Sequence, residues 1–122
     1  THFFYKPANG KVVKNFEPED NFFGVDIVCQ TSESVKSILP GRVILTSGNN
    51  ESGFLVMIKH SNDLLSVYKY NSLLLKKEGE AVNAGEAIAV VGNKKDNCNL
   101  HFQIWFKQNC LNPEDLIHFN RF

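Results

Sequence analysis

Asn99-Leu100-His101-Phe102-Gln103-Ile104-Trp105 alternates strictly between apolar and polar positions. At a period of two, Leu100, Phe102 and Ile104 fall on one face of a strand, and Asn99, His101, Gln103 and Trp105 fall on the other. The first face suits a core. The second presents polar groups two residues apart, which is how a strand aims a pair of ligands or bases at one point. A metal or general-base pair at that spacing calls for His-x-His. Here the first member is Asn, which neither takes up a proton nor binds zinc well. The polar face is therefore either a working site or what remains of one.

Outward from this strand the pattern stays β. Lys11 to Phe16 follows the turn signal Asn9-Gly10, and Gly24 to Val28 forms a second run. Ser34 to Leu39 and Arg42 to Thr46 are separated by Pro40-Gly41, and Ser47-Gly48-Asn49-Asn50 reads as a loop. Phe54 to His60 and Leu64 to Tyr70 flank Ser61-Asn62-Asp63 as a hairpin. Ala87 to Val91 and Leu100 to Phe106 close the series. Pro113 to Phe119 predicts a helical turn, with Asn112 as its cap and Pro113 in first position. Lys76 to Glu86 is polar, and its Gly79 and Gly85 suit turns around a short extended piece at Val82 on the surface. Short, evenly spaced runs parted by Gly, Pro or Asn predict an all-β fold, an antiparallel sandwich or barrel.

The 122 residues predict one domain, residues 1–122, able to bury a core without staples. Hydrophobic residues are 43% and charged residues 21%, a globular and not a disordered composition. Thirteen Lys and Arg balance thirteen Asp and Glu, so no basic excess points to a nucleic-acid partner. No apolar run approaches the length of a membrane span. The chain opens on Thr1 without a secretory apolar segment, so a trimmed or mature piece is expected, its signal or anchor removed. Cys29, Cys98 and Cys110 form no Cys-x-x-Cys, and an odd number cannot pair fully within the chain. Free, half-buried thiols are expected, with a Cys98–Cys110 bridge as the alternative. His2 and His118 lie near the termini and carry no signal.

An ordered set of segments carries more. Gly24-Val25-Asp26-Ile27 is followed by Ser37-Ile38-Leu39-Pro40-Gly41-Arg42-Val43 and by Gly53-Phe54-Leu55-Val56-Met57-Ile58-Lys59-His60. Then come Leu65-Ser66-Val67-Tyr68, Gly79 to Ile88, Val91-Gly92, Leu100-His101-Phe102-Gln103-Ile104 and Asn112-Pro113. Over about residues 7 to 117, the chain resembles the LytM or lysostaphin-type zinc metallopeptidase domain of bacterial cell-wall endopeptidases. The resemblance implies the antiparallel β-sandwich or roll of that family, the duplicated hybrid motif. It also implies a place in the cell envelope, periplasmic or extracytoplasmic.

In that family zinc is held by the His and Asp of His-x-x-x-Asp and by the second His of His-x-His. Two further histidines act on the water and the oxyanion. Carried over, the first zinc position falls on Phe22, the second on Asp26 and the third on His101. The two catalytic positions fall on Tyr70 and Asn99. His60 matches a histidine that precedes the hairpin turn and is not a ligand. Three of the five functional positions thus depart from the pattern. Catalytic zinc takes three protein ligands and keeps one place for water, and Phe22 has no lone pair. Without zinc the water is not acidified, and without the two histidines no neutral-pH base takes its proton. Tyr70 is a poor base near pH 7, although Tyr70 and Asn99 can both donate hydrogen bonds.

The expectation is a catalytically dead site with vestigial ligands Asp26 and His101, no metal and no cofactor. Phe22 is expected to fill the vacated ligand place, and Trp105 to line a groove wall or lie under another strand. The groove would dock an envelope protein, such as a cell-wall amidase or hydrolase that it activates or scaffolds. Peptidoglycan itself, bound by a structural module, is one alternative. A working zinc peptidase with substitute ligands, Cys98 approaching His101, is another. A biotinyl or lipoyl carrier is disfavoured, because Lys59, Lys69, Lys76 and Lys77 occupy no Met-Lys or Asp-Lys-Ala hairpin tip.

Overall fold

Alternation of buried and exposed side chains builds the strands that hold the site. A computed structural model describes residues 3–92 and 99–119. Among these the strands are β1 (Lys11–Lys14), β2 (Val25–Val28), β3 (Ser34–Lys36), β4 (Gly41–Asn49) and β5 (Gly53–Lys59). They continue with β6 (Leu64–Leu74), β7 (Ala81–Val82), β8 (Ala87–Val91), β9 (Asn99–Phe106) and β10 (Asn109–Leu111). Every pairing is antiparallel. The all-β antiparallel expectation holds. No helix of the described residues is long and apolar enough to cross a membrane.

The sheet runs β1-β2-β9-β6-β5-β4-β7, with β10 on β9 and a β3–β8 arm joined to β6. β6 is the hinge of this arrangement. Its first half pairs with β9 from Leu64 to Lys69, and its second half pairs with β8 from Asn71 to Leu74. The changeover falls at Tyr70, whose φ is 72°. Both arms close on one apolar core that includes Val25, Ile27, Val35, Ile58, Tyr68, Ile88, Leu100, Phe102 and Ile104. Tyr68 and Phe102 pack with ring centroids 5.3 Å apart, and Phe119 closes on Phe102 at 6.4 Å.

A second buried cluster is polar. His60 Nδ1 lies 2.8 Å from the Pro40 carbonyl and Nε2 lies 2.7 Å from Ser66 Oγ. Ser66 in turn lies 2.8 Å from the Tyr68 hydroxyl, which accepts from the Ile38 N–H. A carbonyl only accepts, so Nδ1 carries the hydrogen. Burial depresses the His60 pKa below its ordinary value, against the raising effect of the Pro40 carbonyl. Burial likewise pushes the Tyr68 hydroxyl up to about 12, outweighing its hydrogen bonds to Ser66 and Ile38. The network ties the Pro40 turn to β6, consistent with a non-ligand His60.

Three local expectations need correction. Ser47 to Asn50 is not a loop: β4 continues to Asn49, which pairs with Gly53. The reversal is shorter than the polar run, and Asn49 Oδ1 closes it by accepting from the Glu51 and Ser52 N–H groups. β6 extends beyond Tyr70 to Leu74, because β8 supplies its second partner. β10 was not anticipated; its three residues have no readable period, and their pairing with β9 fixes them. The predicted helical turn is present as a 3-10 turn over Pro113–Asp115, with Asn112 capping the Glu114 N–H. The polar Lys76 to Glu86 segment is largely exposed, apart from the buried Val82 of β7. Cys98 and His2 lie outside the described residues, and with Cys98 go the Cys98–Cys110 bridge and its approach to His101.

Candidate functional site

Register places the site before any side chain is considered. Lys14 pairs with Asp26, Asp26 with His101, and His101 with Lys69. One row of side chains therefore crosses β1, β2, β9 and β6 on the face opposite the core. Leu100, Phe102 and Ile104 are fully buried on the core side, as the alternation requires. His101 heads the other side and is 6% exposed.

Its ring is held at both nitrogens. His101 Nδ1 lies 2.8 Å from Asp26 Oδ1, and Nε2 lies 3.0 Å from Gln103 Nε2. Trp105 Nε1 donates to Gln103 Oε1 at 2.8 Å. Four side chains from β2 and β9 thus form one hydrogen-bonded line. Gly24 makes room for it: a Cβ there would stand 2.4 Å from the Phe102 carbonyl oxygen and 2.9 Å from His101 Nε2.

Aromatic rings surround the line. Phe22 meets His101 edge to face, centroids 5.1 Å apart at 70°. A tight reversal sets it there, in which Glu17 and Phe22 exchange backbone hydrogen bonds around Pro18–Asp20. Asn21 ends that turn at φ 59°, a left-handed position that Asn tolerates. Lys14 Nζ lies 4.1 Å from the Phe22 ring centroid, on its face. Phe23 leans on Trp105 at 6.4 Å, and its carbonyl accepts the Cys110 thiol. Burial pushes that thiol up to about 11. Trp105 remains half-buried beside Gln103.

Tyr70 reaches the site by breaking a rule. Tyr68 is in the core and Lys69 is on the cleft side, so alternation would bury Tyr70. Its left-handed φ turns it out instead, and Asn71 takes the buried place. Tyr70 is 54% exposed with its ring 6.3 Å from that of His101. Two glycines permit this bulge. A Cβ at Gly92 would lie 2.0 Å from the Tyr70 carbonyl oxygen, and one at Gly53 would lie 2.9 Å from its Cα. The Asn71 amide ties the bulge down by donating to the Phe54 and Tyr68 carbonyls.

The structure brings Phe22, Asp26, Tyr70, His101 and Trp105 together, with Asn99 two residues before His101 at the start of β9. Sequence reasoning missed Lys14, Phe23, Gly24 and the role of Gln103. Gln103 was visible on the polar face, but its bond to His101 depends on side-chain geometry. Among the described residues, no three His, Cys, Asp or Glu side chains gather as a metal cluster.

Comparison with known proteins bears on this arrangement. Residues 20–113 match the family described as peptidase family M23. The chain is 36% identical over 111 residues to murein hydrolase activator NlpD of Salmonella typhimurium, covering 88% of this chain and 29% of that protein. It is 33% identical to outer membrane antigenic lipoprotein B of Haemophilus influenzae, covering 88% of this chain and 27% of that one. The chain thus spans less than a third of the length of these relatives. Helicobacter pylori Csd3 superposes with a TM-score of 0.81 at 25% identity, over 97% of this chain and 34% of that chain.

Proposed function

The chain belongs to peptidase family M23, and from that premise we propose that its LytM-type cleft grips without cutting: it is a binding and regulatory module of cell-wall remodelling. The observation that carries this reading is the ring of His101. Both its nitrogens are engaged by side chains, and the Phe22 phenyl ring stands edge-on against it. The donor set does not fit a catalytic zinc, which needs three protein ligands and an open place for water. Asp26 and His101 supply two, and Phe22 supplies none.

What remains suits recognition. Phe22, Tyr70 and Trp105 offer large apolar area at little conformational cost, and Asp26 and Gln103 offer polar anchors between them. The residues that position this face sit on paired strands, so little ordering would accompany binding. The occupant we propose is an envelope murein hydrolase whose activity the domain raises. Relatives named as a murein hydrolase activator and as an outer membrane lipoprotein support both the role and the envelope address.

Adding the pure domain to a cell-wall amidase with purified murein tests this. The expected result is faster release of wall fragments, with no release by the domain alone. An unchanged rate, with the domain sedimenting on bare murein, would replace this reading with a peptidoglycan-binding structural module.

A further inference from the structure

The inference rests on the reading of a cleft without zinc and concerns what keeps it so. An indole N–H donates and cannot accept. Trp105 therefore commits Gln103 Oε1 to itself. The amide nitrogen is left facing His101 Nε2 at 3.0 Å. A carboxamide NH2 only donates, so Nε2 is the bare, accepting nitrogen. The ring hydrogen then sits on Nδ1 and is donated to the Asp26 carboxylate 2.8 Å away. Turning the amide over would set its NH2 against the indole N–H.

We propose that Gln103 and Trp105 are positioning residues that lock His101 as its Nδ1–H tautomer, leaving the nitrogen beside Asp26 with no lone pair for a cation. A metal-binding His normally donates its outer N–H to a carboxylate, a carbonyl or water. Here an amide donor stands in that place and reverses the polarity of the ring. Gly24 leaves room for this arrangement, because a Cβ there would press on Gln103 Cγ at 2.8 Å as well as on the His101 ring. Phe22 is then one of two blocks, and supplying a third ligand leaves the other in force.

Long-range proton–nitrogen NMR of the 15N-labelled wild-type chain at pH 7.5 reads the tautomer without any substitution. The expected spectrum shows His101 with Nδ1 protonated and Nε2 bare; a bare Nδ1 overturns the proposal. Calorimetric zinc titration then compares F22H with F22H/Q103E and F22H/W105F, each checked for a wild-type amide spectrum. Gln103→Glu offers an acceptor to an Nε2–H and frees Nδ1, so F22H/Q103E binds zinc about 10–100-fold more tightly than F22H. Trp105→Phe releases the amide to turn over and gives a smaller gain. Equal affinities in all three overturn the lock. A wild-type tautomer as stated, with no stimulation of a murein hydrolase, sinks the functional reading alone.

Discussion

Two histidines on opposite sides of β6, His60 just past the end of β5 and His101 on β9, are buried to nearly the same degree, at 4% and 6% exposure, and they do different things. His60 touches a backbone carbonyl and a buried hydroxyl. Its partners are a turn carbonyl and the buried Ser66 hydroxyl, and it holds the Pro40 turn to β6. His101 touches only side chains on the cleft face, among rings that solvent reaches. Burial alone does not distinguish a structural histidine from one that shapes a site. The partners do.

The largest effect expected from this contrast is on stability. His60→Ala strands the Pro40 carbonyl and the Ser66 hydroxyl and opens a void, and should cost about 3 kcal/mol. His101→Ala leaves Asp26 and Gln103 near water and should cost only about 1 kcal/mol. Urea denaturation of both variants measures the gap, and equal losses would break the comparison. The order reverses for function: His101→Ala should abolish stimulation of a murein hydrolase at a concentration where the folded His60 variant retains it.

Next in size is Tyr70. Its ring is an exposed anchor, so Tyr70→Ala should weaken binding of the hydrolase by about 2 kcal/mol, roughly 30-fold. Tyr70→Gly should lose the same binding and hold stability within about 0.5 kcal/mol of wild type. Relief of the left-handed backbone offsets the lost ring contacts there. A strong loss of stability in the glycine variant would mean that the bulge is held by the ring and not by its neighbours.

A smaller effect sharpens the His60 side. Its pKa in the fold lies below the ordinary 6.5. The unfolded chain therefore takes up a proton below pH 6.5 that the folded chain refuses. Stability is complete above that pH and falls as pH drops below it, until the folded ring titrates. Comparing denaturation midpoints at pH 7.5 and 5.5, wild type against His60→Gln, should show a shallower fall in the variant. Smallest is Cys110, whose raised thiol pKa predicts slower alkylation at pH 8 than a free cysteine, read peptide by peptide by mass spectrometry.

Much of this was legible in the chain. Period-two alternation gave β9 its faces, and Asn112-Pro113 gave the final turn, because both rest on local rules. Resemblance assigns Phe22, Asp26, Tyr70, Asn99 and His101 to one site, and the fold sets Phe22, Asp26 and Tyr70 against His101. The alternation rule by itself would have buried Tyr70. Its outward turn depends on the close passage of Gly53 and Gly92, which are remote in sequence. β10 and the far half of β6 were hidden for a similar reason, since their strand character comes from partners and not from pattern. Gln103 was named on the polar face, but its amide polarity is dictated by an indole two residues away, a fact of side-chain geometry.

Zinc content and wall cleavage, measured together on protein purified without chelator, decide whether this chain grips or cuts. A gripping domain carries no stoichiometric zinc and leaves cross-linked murein intact after incubation. One zinc per chain, with murein cross-links cut by the pure domain and the cutting stopped by a chelator, would contradict a gripping role.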